Sequence, residues 1–288
     1  MASFLKSTAV TLEMIKWEHS VFALPFALTG AVLAAGGWPS LRVLGWIVLC
    51  MVAARSAAMA FNRLADAELD AANPRTAMRA LPAGTLSNRF VGGFVLVSAA
   101  LFLLGAAMLN RLTLELAPVA LVVVLAYSYM KRVTRWSHLV LGLALGIAPS
   151  AAWIAVRGTF DLRIAVLTVA VLLWVGGFDV LYACQDFEHD RKVGLNSVPQ
   201  AFGVRRAFWI ARAMHIGMLG MLCWLVVLFG LGKVAVFGVV LVALLLLYEH
   251  LIISPGDMRR MNAAFFTLNG VISVVFFGFV AADVFLRR

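Results

Sequence analysis

The sequence predicts an all-α fold: a polytopic membrane helical bundle of about nine transmembrane helices around a central cavity. Three observations carry this. Of the 288 residues, 63% are hydrophobic and 13% charged, and the mean hydropathy is +0.97. A soluble domain runs at about 45–50% apolar and about 25% charged. The apolar residues come in runs long enough to cross a hydrocarbon core, which takes roughly 20 residues. Seven of the 14 acidic residues collect in two stretches at the ends of such runs: Asp66, Glu68 and Asp70, then Asp179, Asp186, Glu188 and Asp190.

Nine spans are expected, at 13–36, 41–70, 88–109, 112–130, 137–157, 163–188, 207–231, 233–253 and 261–284. The first carries Pro25, which reads as a kink that opens a cavity. At its start Lys16 and His19, three apart, share a face. Lys16 either snorkels to the headgroups or meets an acidic substrate. The second span ends in the first acidic stretch, the fourth in the basic patch Lys131, Arg132 and Arg135, and the sixth in the second acidic stretch. The fourth and fifth spans, and the eighth and ninth, are joined on that same basic side. An acidic helix end followed by a basic loop thus recurs after four helices. Residues 1–288 therefore read as a single domain with two pseudo-equivalent halves, about 1–136 and 137–288. Cys50, Cys184 and Cys223 lie far apart in apolar runs, without metal spacing, and read as core residues. His138, His215 and His250 read as satisfied or interfacial. The opening residues Met1 to Thr11 are polar and short, with no small-residue cleavage site after a basic region, so no cleaved signal is expected.

Orientation follows from the basic residues. If the N-terminus and the 2–3, 4–5, 6–7 and 8–9 loops share a side, that side holds 17 of the 24 Lys and Arg. The positive-inside rule makes it cytoplasmic, which puts both acidic stretches at the cytoplasmic face of the membrane. The same rule accounts for the net charge of +10 without nucleic acid.

The chemistry comes from the faces. At 100° per residue, Arg55, Asn62, Asp66 and Asp70 fall within about 100° on one side of a helix, and Asp179, Asp186 and Asp190 within about 40°. Glu68 and Glu188 point elsewhere, and Arg63, 100° from Asn62, points toward the rim. Each ionisable residue at bilayer depth costs roughly 2.5–3.5 kcal/mol even on a lenient scale. Carboxylates at i and i+4 lie about 6 Å apart, a spacing that suits shared divalent ions. Mg²⁺ is typically held by one or two carboxylates plus waters and substrate phosphates. Arg75 and Arg79 follow the first cluster, and Arg191 and Lys192 the second. Carboxylates, metal and basic side chains together meet the needs of a diphosphate. Lys131 and Arg132 read either as a membrane anchor or as part of the same clamp. Tyr182, one turn from Asp179 and Asp186, is placed to line the site.

These residues match a known pattern. Asn62-Arg63-Leu-Ala-Asp66-Ala-Glu-Leu-Asp70, followed by Asn73-Pro-Arg75-Thr-Ala-Met-Arg79-Ala-Leu-Pro82-Ala-Gly84, resembles the first aspartate-rich motif of the UbiA superfamily of intramembrane aromatic prenyltransferases. Asp179-Val-Leu-Tyr182-Ala-Cys-Gln-Asp186-Phe-Glu-His-Asp190-Arg-Lys-Val-Gly194 resembles the second, and Tyr127-Ser-Tyr-Met-Lys131-Arg132 its basic segment after the fourth helix. The three occur in family order, so the resemblance covers nearly the whole chain. One departure is that the family has Asp after the Asn, where this chain has Arg63.

The resemblance implies nine helices around a cavity open sideways to lipid. It also implies Mg²⁺-dependent transfer of a polyprenyl chain from polyprenyl diphosphate to an aromatic ring. Asn62, Asp66, Asp70, Asp186 and Asp190 then hold the metal, and Lys131, Arg132, Arg75, Arg79, Arg191 and Lys192 the diphosphate. The opening residues Ile15 to Phe26 resemble a subgroup described as 4-hydroxybenzoate polyprenyltransferase-like, some members of which are assigned to menaquinone synthesis. The implied acceptor is 4-hydroxybenzoate or a dihydroxynaphthoate, both carboxylates. Arg55 and Lys16 are candidates to bind the carboxylate, with Tyr182 and Asp179 beside them. Two other readings compete. A cation-coupled transporter places its charges mid-span. A CDP-alcohol phosphotransferase needs Asp-Gly where Asp66 and Asp70 are each followed by Ala.

Overall fold

The computed structural model describes residues 10, 11, 13–15, 20–261 and 267–287. Lys16 and His19 lie outside them. The long helices are α1 (Ser20–Ala35), α2 (Leu41–Ala65), α4 (Asn88–Leu109), α5 (Arg111–Ala126), α7 (Ser137–Arg157), α8 (Leu162–Ala183), α11 (Val204–Leu228), α12 (Lys233–Ile252) and α13 (Asn269–Leu286). Short helices sit at the motifs: α3 (Ala67–Ala72), α6 (Met130–Val133), α9 (Phe187–Val193) and α10 (Val198–Phe202). Among the described residues, eight helical runs are long and apolar enough to cross a membrane, and the 16-residue α1 is apolar as well. The protein is an integral membrane protein.

Consecutive long helices pack on one another, and α13 returns to pack on α1. The result is a closed ring, with α1 also packed across on α7. The core lies between α1, α8, α11, α12 and α13, where Phe26, Trp174 and Phe276 stack at centroid distances of 5.0 and 5.6 Å. Outward faces carry exposed Leu, Val and Trp such as Leu96, Val122 and Trp224, as a lipid-facing surface requires. Cys184 is buried, but Cys223, expected in the core, is exposed: its turn of α11 faces outward. Lipid is as apolar as a core, so hydropathy does not tell the two faces apart.

Three expected spans are broken where the chemistry sits. The second is interrupted at Asp66 (φ −102°, ψ 8°), the sixth by a 3₁₀ turn over Cys184–Asp186 that ends at Asp186 (φ −97°, ψ 7°), and the fourth by a 3₁₀ turn over Tyr127–Tyr129. Asp66 and Asp186 share almost the same backbone conformation, so each motif turns its last helical segment by the same device.

Helices α7 and α8 approach closely because glycine faces backbone. A Cβ added at Gly142 would strike the Leu172 carbonyl, and one at Gly146 would meet the Thr168 carbonyl. Small residues permit such approach in membrane bundles. Gly142→Val is therefore expected to lower stability by about 1–3 kcal/mol, read as thermal unfolding in detergent. Gly220→Ala, where nothing lies near the added Cβ, should leave the transition unmoved or raise it.

Candidate active site

The loop after the first motif folds back over it. The Arg75 amide donates to Asn73 Oδ1 at 2.9 Å, and the Thr76 hydroxyl donates to the Asp70 carbonyl at 3.0 Å. These local bonds aim two guanidiniums inward. Arg79 meets both oxygens of Asp70 at 2.7 and 2.8 Å. Arg75 crosses the bundle and grips Asp186 with Nε at 2.9 Å and a terminal nitrogen at 2.6 Å. Burial works against the Arg75 charge, but the Asp186 carboxylate outweighs it and holds the guanidinium above its ordinary value.

Asp66 is shared between the motifs. It accepts from the Asn62 amide at 2.9 Å and from Arg132 at 3.0 Å. Arg132 also donates to the Ala65 carbonyl at 2.6 Å. Burial pushes the Asp66 carboxyl above the usual carboxylate range, against the pull of Arg132 and Lys131. Lys131 lies in the combined field of Asp179, Asp190, Asp186 and Asp66, which makes it the cation around which both motifs gather.

In the second motif Asp186 and Asp190 are buried, and Asp190 keeps one buried oxygen, Oδ2, without a hydrogen-bond partner among the described residues. Asp179 accepts from His138 Nδ1 at 2.6 Å. Glu68 and Glu188 point away and are exposed. Among the described residues no three His, Cys, Asp or Glu side chains converge into a closed metal cage. The donor set is instead oxygen-rich, with one orphaned carboxylate oxygen and cations alongside. That suits a hard divalent ion whose coordination is completed by phosphate oxygens and water.

Beneath this polar end lies an apolar cavity of about 390 Å³, walled by α1, α2, α4, α5 and α7. Arg55 is the charged residue among those lining it, and its Nε is buried without a hydrogen-bond partner among the described residues. Because α2 is unbroken from Leu41 to Ala65, Arg55 sits seven residues, about 10 Å, from Asn62. Tyr127 stands between the two regions. It lines the cavity, and its hydroxyl lies in the field of Arg63, Arg55, Asp66 and Asp179.

The structure thus gathers Asn62, Asp66, Asp70, Asp186, Asp190, Lys131, Arg132, Arg75 and Arg79 at one end of the bundle. Arg191 and Lys192 lie exposed at the rim and form no ion pair among the described residues. Neither Tyr182 nor Asp179 is in the cavity wall with Arg55; the Tyr182 hydroxyl meets Arg75 at 3.4 Å and its ring lies under that guanidinium. Arg63 is a correction. A continuous helix puts it at the rim, yet it is buried, with Nε donating to the Met14 carbonyl at 3.5 Å and a terminal nitrogen 3.8 Å from Asp70. The break at Asp66 swings Asp70 back over it. Sequence reasoning passed over Tyr127, whose signal was its position four residues before Lys131. His138, read as satisfied or interfacial, is buried with both ring nitrogens bonded.

Known proteins resemble this chain along most of its length. Residues 23–271 match the model of the UbiA prenyltransferase family. The 4-hydroxybenzoate octaprenyltransferase of Vibrio cholerae serotype O1 is 34% identical over 248 residues, 85% of this chain and 86% of that protein. Its counterpart in Vibrio parahaemolyticus is 33% identical over 252 residues, 87% and 88% of the two chains. Among solved structures, a UbiA homologue from Aeropyrum pernix K1 superposes with a TM-score of 0.84 at 31% identity, covering 92% of this chain and 98% of its own. A homologue from Archaeoglobus fulgidus bound to DMAPP and Mg²⁺ shares the fold, with a TM-score of 0.72 at 20% identity over 96% and 99% of the two chains.

Arg63 offers a direct test of the site's packing. Arg63→Met strands the Met14 carbonyl and removes a buried charge-assisted contact, so stability without ligands should fall by about 1–3 kcal/mol. Arg63→Lys should recover part of this, since one ammonium lacks the fork that serves two acceptors. The midpoint of denaturant unfolding reads both, and an unmoved midpoint in the Met variant would show that Arg63 holds nothing in place.

Proposed function

The chain belongs to the UbiA prenyltransferase family, and from that premise we propose that it transfers a polyprenyl group from polyprenyl diphosphate to an aromatic carboxylic acid. The observation that carries the acceptor class is Arg55, a buried cation without a hydrogen-bond partner at Nε in the wall of an apolar cavity. A buried charge left without a partner is costly, and a carboxylate on an otherwise apolar ring would satisfy it bidentately. The relatives named for 4-hydroxybenzoate favour that acid over a dihydroxynaphthoate as acceptor. The product would then enter ubiquinone or menaquinone synthesis. The family match, with carboxylates at one end of the bundle and not at mid-span, replaces the transporter and CDP-alcohol phosphotransferase readings.

In this reading Asn62, Asp66, Asp70, Asp186 and Asp190 hold Mg²⁺, as the orphaned Asp190 oxygen supports. The ion supplies charge neutralisation for the departing diphosphate. Lys131, Arg132, Arg75 and Arg79 take its oxygens. The arginines now rest on carboxylates through partly exposed side chains, so they can turn to phosphate as the ion takes their place. Arg191 and Lys192 at the rim steer the incoming anion. With the diphosphate held at the polar end, the prenyl chain lies along the apolar cavity. Its allylic carbon then develops positive charge as the C–O bond breaks. The cavity wall excludes the water that would quench that cation. Arg55, about 10 Å deeper, turns the acceptor ring so that a ring carbon attacks, and loss of the ring proton restores aromaticity. Asp179, in the field of Lys131 and of the cavity-lining Tyr127, is assigned to the acceptor. The concentration of Lys and Arg around the motif loops supports an active site facing the cytoplasm of a bacterial inner membrane.

Two outcomes follow. Asn in place of Asp66, Asp70, Asp186 or Asp190 should abolish turnover without unfolding the bundle, and near-wild-type activity in two of the four sinks the two-motif site. Arg55→Ala should raise KM for the acid strongly and leave prenyl diphosphate binding nearly intact, with Arg55→Lys partly restoring it. Steady-state kinetics with the acid and its decarboxylated analogue decide this. An equal rise for both means that Arg55 does not read the carboxylate.

A further inference from the structure

His138 is fully buried at the start of α7. Its Nε2 accepts the Val198 amide N–H at 3.2 Å. A backbone amide only donates, so Nε2 carries the lone pair and the ring proton resides on Nδ1. That proton is given to Asp179 Oδ2 at 2.6 Å. The imidazole is thus a neutral donor whose tautomer is set by the backbone of another element. One carboxylate oxygen of Asp179 is fixed by this bond. The other remains for the site, where Lys131 is the neighbouring cation.

The same imidazole reaches the second motif. Val198 begins α10, and the residue before it, Ser197, is also fully buried. The Ser197 oxygen accepts the Gln200 amide at 3.3 Å, which caps α10. One residue earlier, the Asn196 amide donates to the Lys131 carbonyl at 2.7 Å. A path therefore runs from Asp179 through His138 to the Val198 amide and along the loop to Leu195, whose amide donates to the Asp190 carbonyl at 3.0 Å. It connects the acceptor-side carboxylate with the backbone of the residue that keeps an orphaned oxygen, and the loop it traverses is clamped to the backbone of Lys131.

We infer that His138 is a positioning residue of the transfer reaction: by donating from Nδ1 it holds Asp179 in the orientation that meets the acceptor, and by accepting from Val198 it keeps that carboxylate in register with Asp190. This rests on the assignment of Asp179 to the acceptor side. It does not depend on which aromatic acid is used. Outer partners that orient a reacting group typically matter 10–100-fold. Gln is the one uncharged replacement of similar reach that both donates and accepts, through Nε2 and Oε1.

The experiment is a kinetic cycle on the whole protein in detergent or nanodiscs, with His138→Leu, His138→Gln, Asp179→Ala and the double variant His138→Leu/Asp179→Ala. His138→Leu should lower kcat/KM for the acceptor by roughly 10–100-fold and leave KM for prenyl diphosphate nearly unchanged. His138→Gln should restore most of the loss. In the Asp179→Ala background, His138→Leu should add no further loss, because two members of one chain are not additive. If the losses multiply, or if Gln fails as badly as Leu while both KM values rise together, His138 only holds the loop and the inference is wrong. If Asp179→Ala is damaging and His138→Leu is silent, the positioning role again fails. If Asp179→Ala is itself silent, the acceptor-side assignment of Asp179 has failed, and the inference falls with it.

Discussion

Arg75 reaches across the bundle from the loop after the first motif to Asp186 in the second, with two hydrogen bonds of 2.9 and 2.6 Å. The rest of the site depends on this kind of pairing. Carboxylates at the edge of an apolar bundle are tolerable only when each faces a cation, because an uncompensated buried charge is strongly destabilising. Asp186 has Arg75, Asp70 has Arg79 and Arg63, Asp66 has Arg132, and Lys131 serves the group as a whole. The cations come from the first half of the chain and from the loop between α5 and α7, so satisfying the charges also draws the two motifs together. Asp190 is the member with an oxygen left without a hydrogen-bond partner among the described residues, which supports the proposed ion beside it.

The same economy of partners separates the polar end from the cavity. Among the described residues Arg75, Arg79, Arg132 and Arg63 each have an acceptor in hand, whereas Arg55 keeps an unmatched Nε and looks into apolar walls. A charge held in that position favours an anion on an otherwise greasy molecule. Tyr127 sits at the junction, on the 3₁₀ turn that ends α5. That turn brings Lys131 and Arg132 inward, where a continued helix would carry them around its axis. A reaction that needs both a place for a departing diphosphate and a dry chamber for an allylic cation finds the two regions adjacent and chemically distinct.

Much was legible from the chain. Apolar runs of about 20 residues dictate helices across a membrane, and the expected spans match the long helices closely in the described residues. The pairing of acidic helix ends with basic loops marked the site, since charges at bilayer depth are retained for use. Glu68 and Glu188 were separable from their neighbours by helical phase alone and are exposed. Arg55 and Asn62 kept their expected relation because α2 is continuous between them. The phase reading failed at Arg63: it sent the side chain to the rim, whereas the break at Asp66 folds Asp70 back over a buried guanidinium.

The sequence by itself determined what is local: which segments are apolar enough to become helices, which of their ends carry charge, and which residues share a face while the helix runs straight. Only the tertiary structure decided which cation meets which carboxylate, where the helices break, that Tyr182 braces Arg75, and that His138 joins Asp179 to the Val198 amide. The reason is physical. Helical periodicity comes from bonds four residues apart, so it is written in neighbouring residues. The partner of a buried charge is chosen by the need to leave none uncompensated, and that is settled among groups more than a hundred residues apart, as Arg75 and Asp186 are.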